Sequence, residues 1–228
     1  MKQLNNIFLI SNFFIGSCLA SHAYVIYDRF YQGNYILDRS KCTYCHTELN
    51  ILEEIPVFSY IFLHGQCSTC KFKIPAELFF IELIGGFSFS NCDFATTNGI
   101  TTAILIFSIL LCTIFDYYSQ EFPTICIIPA IIVSLYNFSS FTTLDLMQSV
   151  PIFIVLLFYV YKQKLGSGDL ILYLILVFYF HAEFANYTFL LASLFCIVHY
   201  FLNKKRIDKN QQIALFPYLF LSLIIFLM

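Results

Sequence analysis

Eight apolar runs decide what this chain can fold into: 4–27, 76–92, 99–115, 122–139, 145–161, 169–184, 186–202 and 212–228. A helix needs about 20 mostly apolar residues to cross the hydrocarbon of a bilayer, and these runs, several of them short, approach that length one after another. Composition agrees. Of 228 residues 59% are hydrophobic and 11% charged, with mean hydropathy +0.77, where a soluble domain carries about 25% charge. The expectation is an all-α polytopic membrane protein with about eight transmembrane helices in membrane lipid. A net charge of −2 gives no basic signal for nucleic acid. With 28 Phe, 16 Tyr and no Trp, Tyr has to supply any aromatic belt. The N-terminus lacks a strongly basic start and a clear small-x-small cleavage site, so it reads as a retained span and not a cleaved signal.

Only residues 28–75 form a sizeable extramembrane segment. The chain thus divides into a first transmembrane helix (1–27), a loop (28–75) and a membrane-embedded core (76–228). Arg29, Arg39, Lys41, Lys71 and Lys73 lie in the first loop. Lys162 and Lys164 follow the fifth run, and Lys204, Lys205, Arg206 and Lys209 follow the seventh. With eight crossings all these loops fall on one face, and the positive-inside rule makes it cytoplasmic. Both termini then point outward.

The same count puts Asp116, in "FDYYSQEFPT", and Asp169, in "GSGD", on the cytoplasmic face. Carboxylates at a membrane rim are costly and usually face a polar cavity. Two at similar depth can share a proton, leaving one as base and the other as acid. Such a pair activates water against an amide without a Ser or Cys nucleophile. Gly166 and Gly168 let the backbone turn sharply or approach a substrate strand, and Asp169 near a helix start is favoured by free N–H groups. Pro123 suits a first helical turn. The plainer alternative is that each Asp caps a helix. Glu121, on the same face but in a loop, and Asp145, on the outer face and structural, are the nearest competitors.

Residues 42–70 contain C-x2-C-x21-C-x2-C. Two CxxC turns facing one tetrahedral ion make a zinc site of Cys42, Cys45, Cys67 and Cys70; a redox dithiol is the rival. Four thiolates leave no open position for substrate, so the ion would organise the loop. His46 and His64 read as bystanders. Cys18, Cys92, Cys112, Cys126 and Cys196 read as small packing residues. His22, His181 and His199 read as span-end residues, and Pro217 as a kink in the last span.

In order and spacing, "GSCLASHAYVIYDRF", the cysteine loop with "IPVFSY", "ELFFIELIGG", "FDYYSQEFPT", "GSGD" and "IALFPYLFLS" resemble the prepilin peptidases, membrane aspartyl proteases of the type IV leader peptidase family. The look is closest to the competence-type enzymes of Gram-positive bacteria. Departures are Phe122-Pro123-Thr124 at the first motif, Ile171 after GxGD, and "ELF" before Glu82. The resemblance implies an aspartic-type endopeptidase of the bacterial cell membrane with Asp116 and Asp169 catalytic. It would remove the basic leader of prepilins or competence pseudopilins on the cytoplasmic side, before a hydrophobic helix, in support of pseudopilus or secretion assembly. Some members also N-methylate the new terminus with S-adenosylmethionine. Glu82 matches a residue placed in that region, which leaves this second activity open. A non-hydrolytic transporter or zinc-dependent scaffold, and a protease cutting inside other spans, are the alternatives.

Overall fold

In lipid, a chain must satisfy its backbone N–H and C=O groups within the segment itself, which is why apolar runs become helices. The computed structural model describes residues 2–30, 39–203 and 214–228, so Lys204, Lys205, Arg206 and Lys209 lie outside the described residues. Helix α1 spans Lys2–Arg29 and is followed in the loop by the short α2 (Phe58–Phe62). Then come α3 (Ala76–Phe89), α4 (Thr97–Ser119), α5 (Thr124–Tyr136), α6 (Thr143–Tyr161), α7 (Ser167–Phe180), α8 (Ala182–Asn203) and α9 (Phe216–Leu227). Among the described residues there is no strand, only the isolated bridges Lys41–Glu48 and Gln66–Lys73.

Each expected apolar run holds a helix, and the helices differ in length. Ile7–Arg29 of α1, α4, α6 and α8 are long and apolar enough to cross a membrane. Helices α3, α5, α7 and α9 have 14, 13, 14 and 12 residues. At ~1.5 Å per residue these are about 18–21 Å long, short of a hydrocarbon core of about 30 Å. Of the about eight helices expected, several of them short, four are long and four are short. Local breaks explain the shortening. A 3-10 turn over Asn137–Ser140 takes over from α5, and His181, at φ +74°, ends α7. Pro217 does not kink the last helix, as expected of it; it sits in the opening turn of α9, where its missing N–H costs no helical bond.

The chain forms two compact units, residues 1–103 with Met228, and residues 104–227. In the first, α1 packs on α3 through small residues. A Cβ on Gly16 would stand 2.6 Å from the Gly85 carbonyl oxygen, and one on Gly85 would fall onto the Ala20 Cβ. Close backbone approach through small residues is how helices associate where burial from water gives no drive. In the second unit, α7 packs against α5, α6 and α8, and α8 against α9. Tyr173 of α7 is fully buried and donates its hydroxyl to Asn186 Oδ1 at 2.8 Å. The expected consequence for the first unit is that Gly85→Leu, by overpacking worth about 1–3 kcal/mol, lowers the Tm of detergent-solubilised protein. Ile10→Leu, on an exposed part of α1, leaves it unchanged.

Candidate functional site

Asp116 and Asp169 both belong to the second unit. Asp116 lies in the last turn of α4, half-buried, and Asp169 in the first turn of α7, buried. The two carboxylates are close enough for their charges to interact. Asp116 Oδ2 accepts the backbone N–H of Phe216, which opens α9, at 3.2 Å. The Phe216 ring meets that of Phe122, in the α4–α5 connection, at 4.9 Å between centroids. Phe122 in turn covers Gly168, where a Cβ would stand 2.5 Å from its Cζ and 3.5 Å from Phe216 Cε2. Gly166 is the N-cap of α7, with φ −68° and ψ 144°, and a Cβ there would come 3.4 Å from Asp169 Oδ2. Three helix ends and the Phe122 connection therefore converge on the two carboxylates. The sequence reading missed Phe122 and Phe216 as their neighbours. Both sat in quoted motifs, but ring contacts between distant segments leave no periodic signal.

The competing acids have other surroundings. Glu121 is exposed beside Phe122. Asp145 Oδ2 accepts from Thr142 N (2.9 Å) and Thr142 Oγ1 (2.7 Å) and lies 3.1 Å from His181 Nδ1, while Oδ1 accepts the Ala182 N–H at 2.9 Å. It ties the start of α6 to the start of α8 just beyond the far end of α7, about 20 Å along the helix from Asp169. His181, read as a plain span-end residue, is one of its partners.

In the first unit the two CxxC segments fold as matching knuckles. His46 N–H and Thr47 C=O close the first on Cys42, with N···O distances of 2.9 and 3.0 Å. Lys71 N–H and Phe72 C=O close the second on Cys67, at 3.1 and 2.9 Å. His46 and Lys71 adopt the same left-handed turn, φ 56° and 59°. All four Sγ atoms lie within 4.8 Å of one another, with Cys42–Cys70 at 3.8 Å and Cys45–Cys67 at 3.9 Å. A zinc tetrahedron with Zn–S of about 2.3 Å has S···S edges of about 3.8 Å, so the donor set and its spacing fit that ion. Hydrogen bonds from the Thr47 side chain and backbone pull the Cys45 thiol down to about 6, favouring the ligating thiolate. His46 contributes its backbone to the turn, and His64 Nδ1 lies 3.0 Å from the Ile61 carbonyl oxygen of its own turn.

Glu82, in mid-α3, accepts Ser21 Oγ at 2.9 Å on Oε1 and the Val57 N–H at 2.7 Å on Oε2. Val57 is a β-branched residue at φ +65°, a strained conformation that persists only where surroundings enforce it. Glu82 also lines a cavity of about 300 Å³ together with Tyr24, Asp28, Tyr60 and Phe79. The first unit thus has two features, a four-thiolate centre and a cavity walled by α1, α3 and the loop.

An all-helical membrane protein with a four-thiolate loop and two acids at helix ends is the class that the fold and these sites define. Residues 14–95 match the family model described as Bacterial Peptidase A24 N-terminal domain. A prepilin leader peptidase/N-methyltransferase of Vibrio cholerae is 25% identical over 205 residues, 82% of this chain and 80% of that protein. Proteins of the same name from Pseudomonas aeruginosa and Stutzerimonas stutzeri are 29% and 26% identical, over 49% and 60% of this chain and 40% and 52% of their own lengths. No solved structure matches the chain significantly. The family model and these relatives make the chain similar to the type IV prepilin peptidases. For the thiolate centre, the expected result is roughly one zinc per purified chain by elemental analysis, lost when Cys42 and Cys45 are both changed to Ser.

Proposed function

We propose that this chain is an aspartic-type prepilin peptidase in which Asp116 and Asp169 together hydrolyse one peptide bond. The observation that supports this is their convergence, from α4 and α7, beside Gly168 and the Phe216 N–H. The ionised carboxylate takes a proton from water as the oxygen attacks the scissile carbonyl. The protonated one hydrogen-bonds that carbonyl and donates its proton to the nitrogen as the C–N bond breaks and the amine leaves. The Phe122 and Phe216 rings exclude bulk water around Gly168, which strengthens both interactions. The four-thiolate site, filled by zinc, has no open position and organises the loop.

The substrates are prepilins or competence-type pseudopilins, cut between a basic leader and an apolar helix on the cytoplasmic side of the bacterial cell membrane. The relatives' names and the one-sided distribution of basic residues support this. The multi-pass, cytoplasm-facing arrangement belongs to the same proposal. So does N-methylation of the new terminus with S-adenosylmethionine, the second activity in the relatives' names. Its support here is the cavity beside Glu82. Since that carboxylate is engaged by Ser21 and Val57, its part is to hold the cavity wall.

Co-expressed with a prepilin, Asp116→Asn and Asp169→Asn each lose leader cleavage by about 100-fold or more. Processing at the unaltered rate by either variant refutes the assignment, and processing by none of the proteins, the unaltered one included, leaves a transporter or scaffold as the reading. Gly168→Val slows cleavage through its clash with Phe122, and adding Phe122→Ala restores part of the rate. Glu82→Ala reduces methyl transfer from labelled S-adenosylmethionine while cleavage continues.

A further inference from the structure

Between the two cysteine knuckles, the chain does not stay at the end of the α1–α3 pair. It climbs along it. Val57 N–H reaches Glu82, six residues past the start of α3 at Ala76, which is about 9 Å along the helix axis. The Phe58 ring stacks on Phe14 of α1 at 5.2 Å. Phe14 lies fifteen residues before the α1 terminus at Arg29, about 22 Å back along the axis. It also falls inside Ile7–Arg29, the stretch of α1 apolar enough to cross a membrane. Helix α2 therefore lies beside a segment that reads as lipid-embedded.

The chemistry of the climbing segment matches that position. From Ile55 to Gln66 there is no Asp, Glu, Lys or Arg, whereas Glu53 and Glu54 precede it and Lys71 and Lys73 follow. Phe62 is 77% exposed, Ile61 54% and Phe58 41%, a contiguous apolar face that water does not favour. Its backbone is internally bonded, as lipid requires: Ser59 N–H to Ile55 C=O (3.0 Å), Leu63 to Ser59 (2.9 Å), Gly65 to Tyr60 (2.9 Å) and Ile74 to Gly65 (2.8 Å). Val57, at φ +65°, is the N-cap of α2, and its N–H is bonded to Glu82 at this level.

We propose that residues 55–63 form a membrane-inserted lip, with Phe58, Ile61 and Phe62 seated among lipid acyl chains beside α1. The occupant is lipid because the exposed face is continuous, through the Phe14–Phe58 stack, with the exposed apolar face of α1 that carries Ile10 and Ile15. The lip holds the cysteine loop against the bilayer, and this does not depend on the proposed peptidase chemistry.

The chain has no Trp, so single Trp probes report without background. Three full-length variants are reconstituted in phosphatidylcholine nanodiscs with a Trp-free scaffold, which leave both faces open to solutes. Phe62→Trp tests the lip, Phe8→Trp marks the lipid-facing side of α1, and Glu48→Trp marks the exposed ion pairs with Lys41 and Arg39. Each is quenched by acyl-brominated lipid and, separately, by iodide. The expected result is that Phe62→Trp follows Phe8→Trp, with blue-shifted emission, strong quenching by brominated lipid and weak quenching by iodide. Ile61→Trp, as a second probe, behaves alike. Iodide quenching equal to that of Glu48→Trp, without quenching by brominated lipid, overturns the proposal. Shielding from both quenchers overturns it too, since a second copy or another protein would then cover the face.

Discussion

A carboxylate set among apolar helices must be answered by hydrogen-bond donors, by a neighbouring charge or by a proton, and this constraint organises both units. Asp145 is answered by donors: Thr142 twice, the Ala182 N–H and His181. Glu82 is answered by Ser21 and Val57. In both cases the acid fastens segments together. Asp116 and Asp169 differ. Asp116 takes the Phe216 N–H, and the two acids lie within each other's field. In the proposed function these two acids share one proton, the state that acid–base hydrolysis uses.

Aromatic and small residues keep that pair in place. Gly168 admits the Phe122 ring where any side chain would collide, and Phe216 joins Phe122 while its N–H holds Asp116. A single contact chain thus runs from one carboxylate to the other through two rings and a glycine. In the first unit, Gly16, Ala20 and Gly85 bring α1 and α3 together, and the Ser21–Glu82–Val57 bonds then fasten the loop to that pair. Each unit sets small residues where backbones or rings must meet and a bonded acid beside them.

Much of this was legible in the sequence. Apolar runs announced helices because lipid leaves the backbone few other ways to bond, and the CxxC spacing announced the thiolate cluster because two knuckles suit one tetrahedral ion. The rest was hidden for physical reasons. The ends of α5 and α7 depend on the turn at Asn137–Ser140 and on the backbone of His181, which hydropathy does not register. Pro217 looked like a kink only because the start of α9 was placed four residues too early. Phe122, Phe216 and Val57 were seen only as parts of motifs, since their partners lie far along the chain.

The central claim is that Asp116 and Asp169 act as a unit. It is tested most directly by a double-mutant cycle, in which prepilin cleavage rates are compared for Asp116→Asn, Asp169→Asn and the combined variant. Groups that share one step are strongly non-additive, so the account predicts that the combined variant is about as slow as either single one. Independent losses that multiply in the combined variant would contradict it.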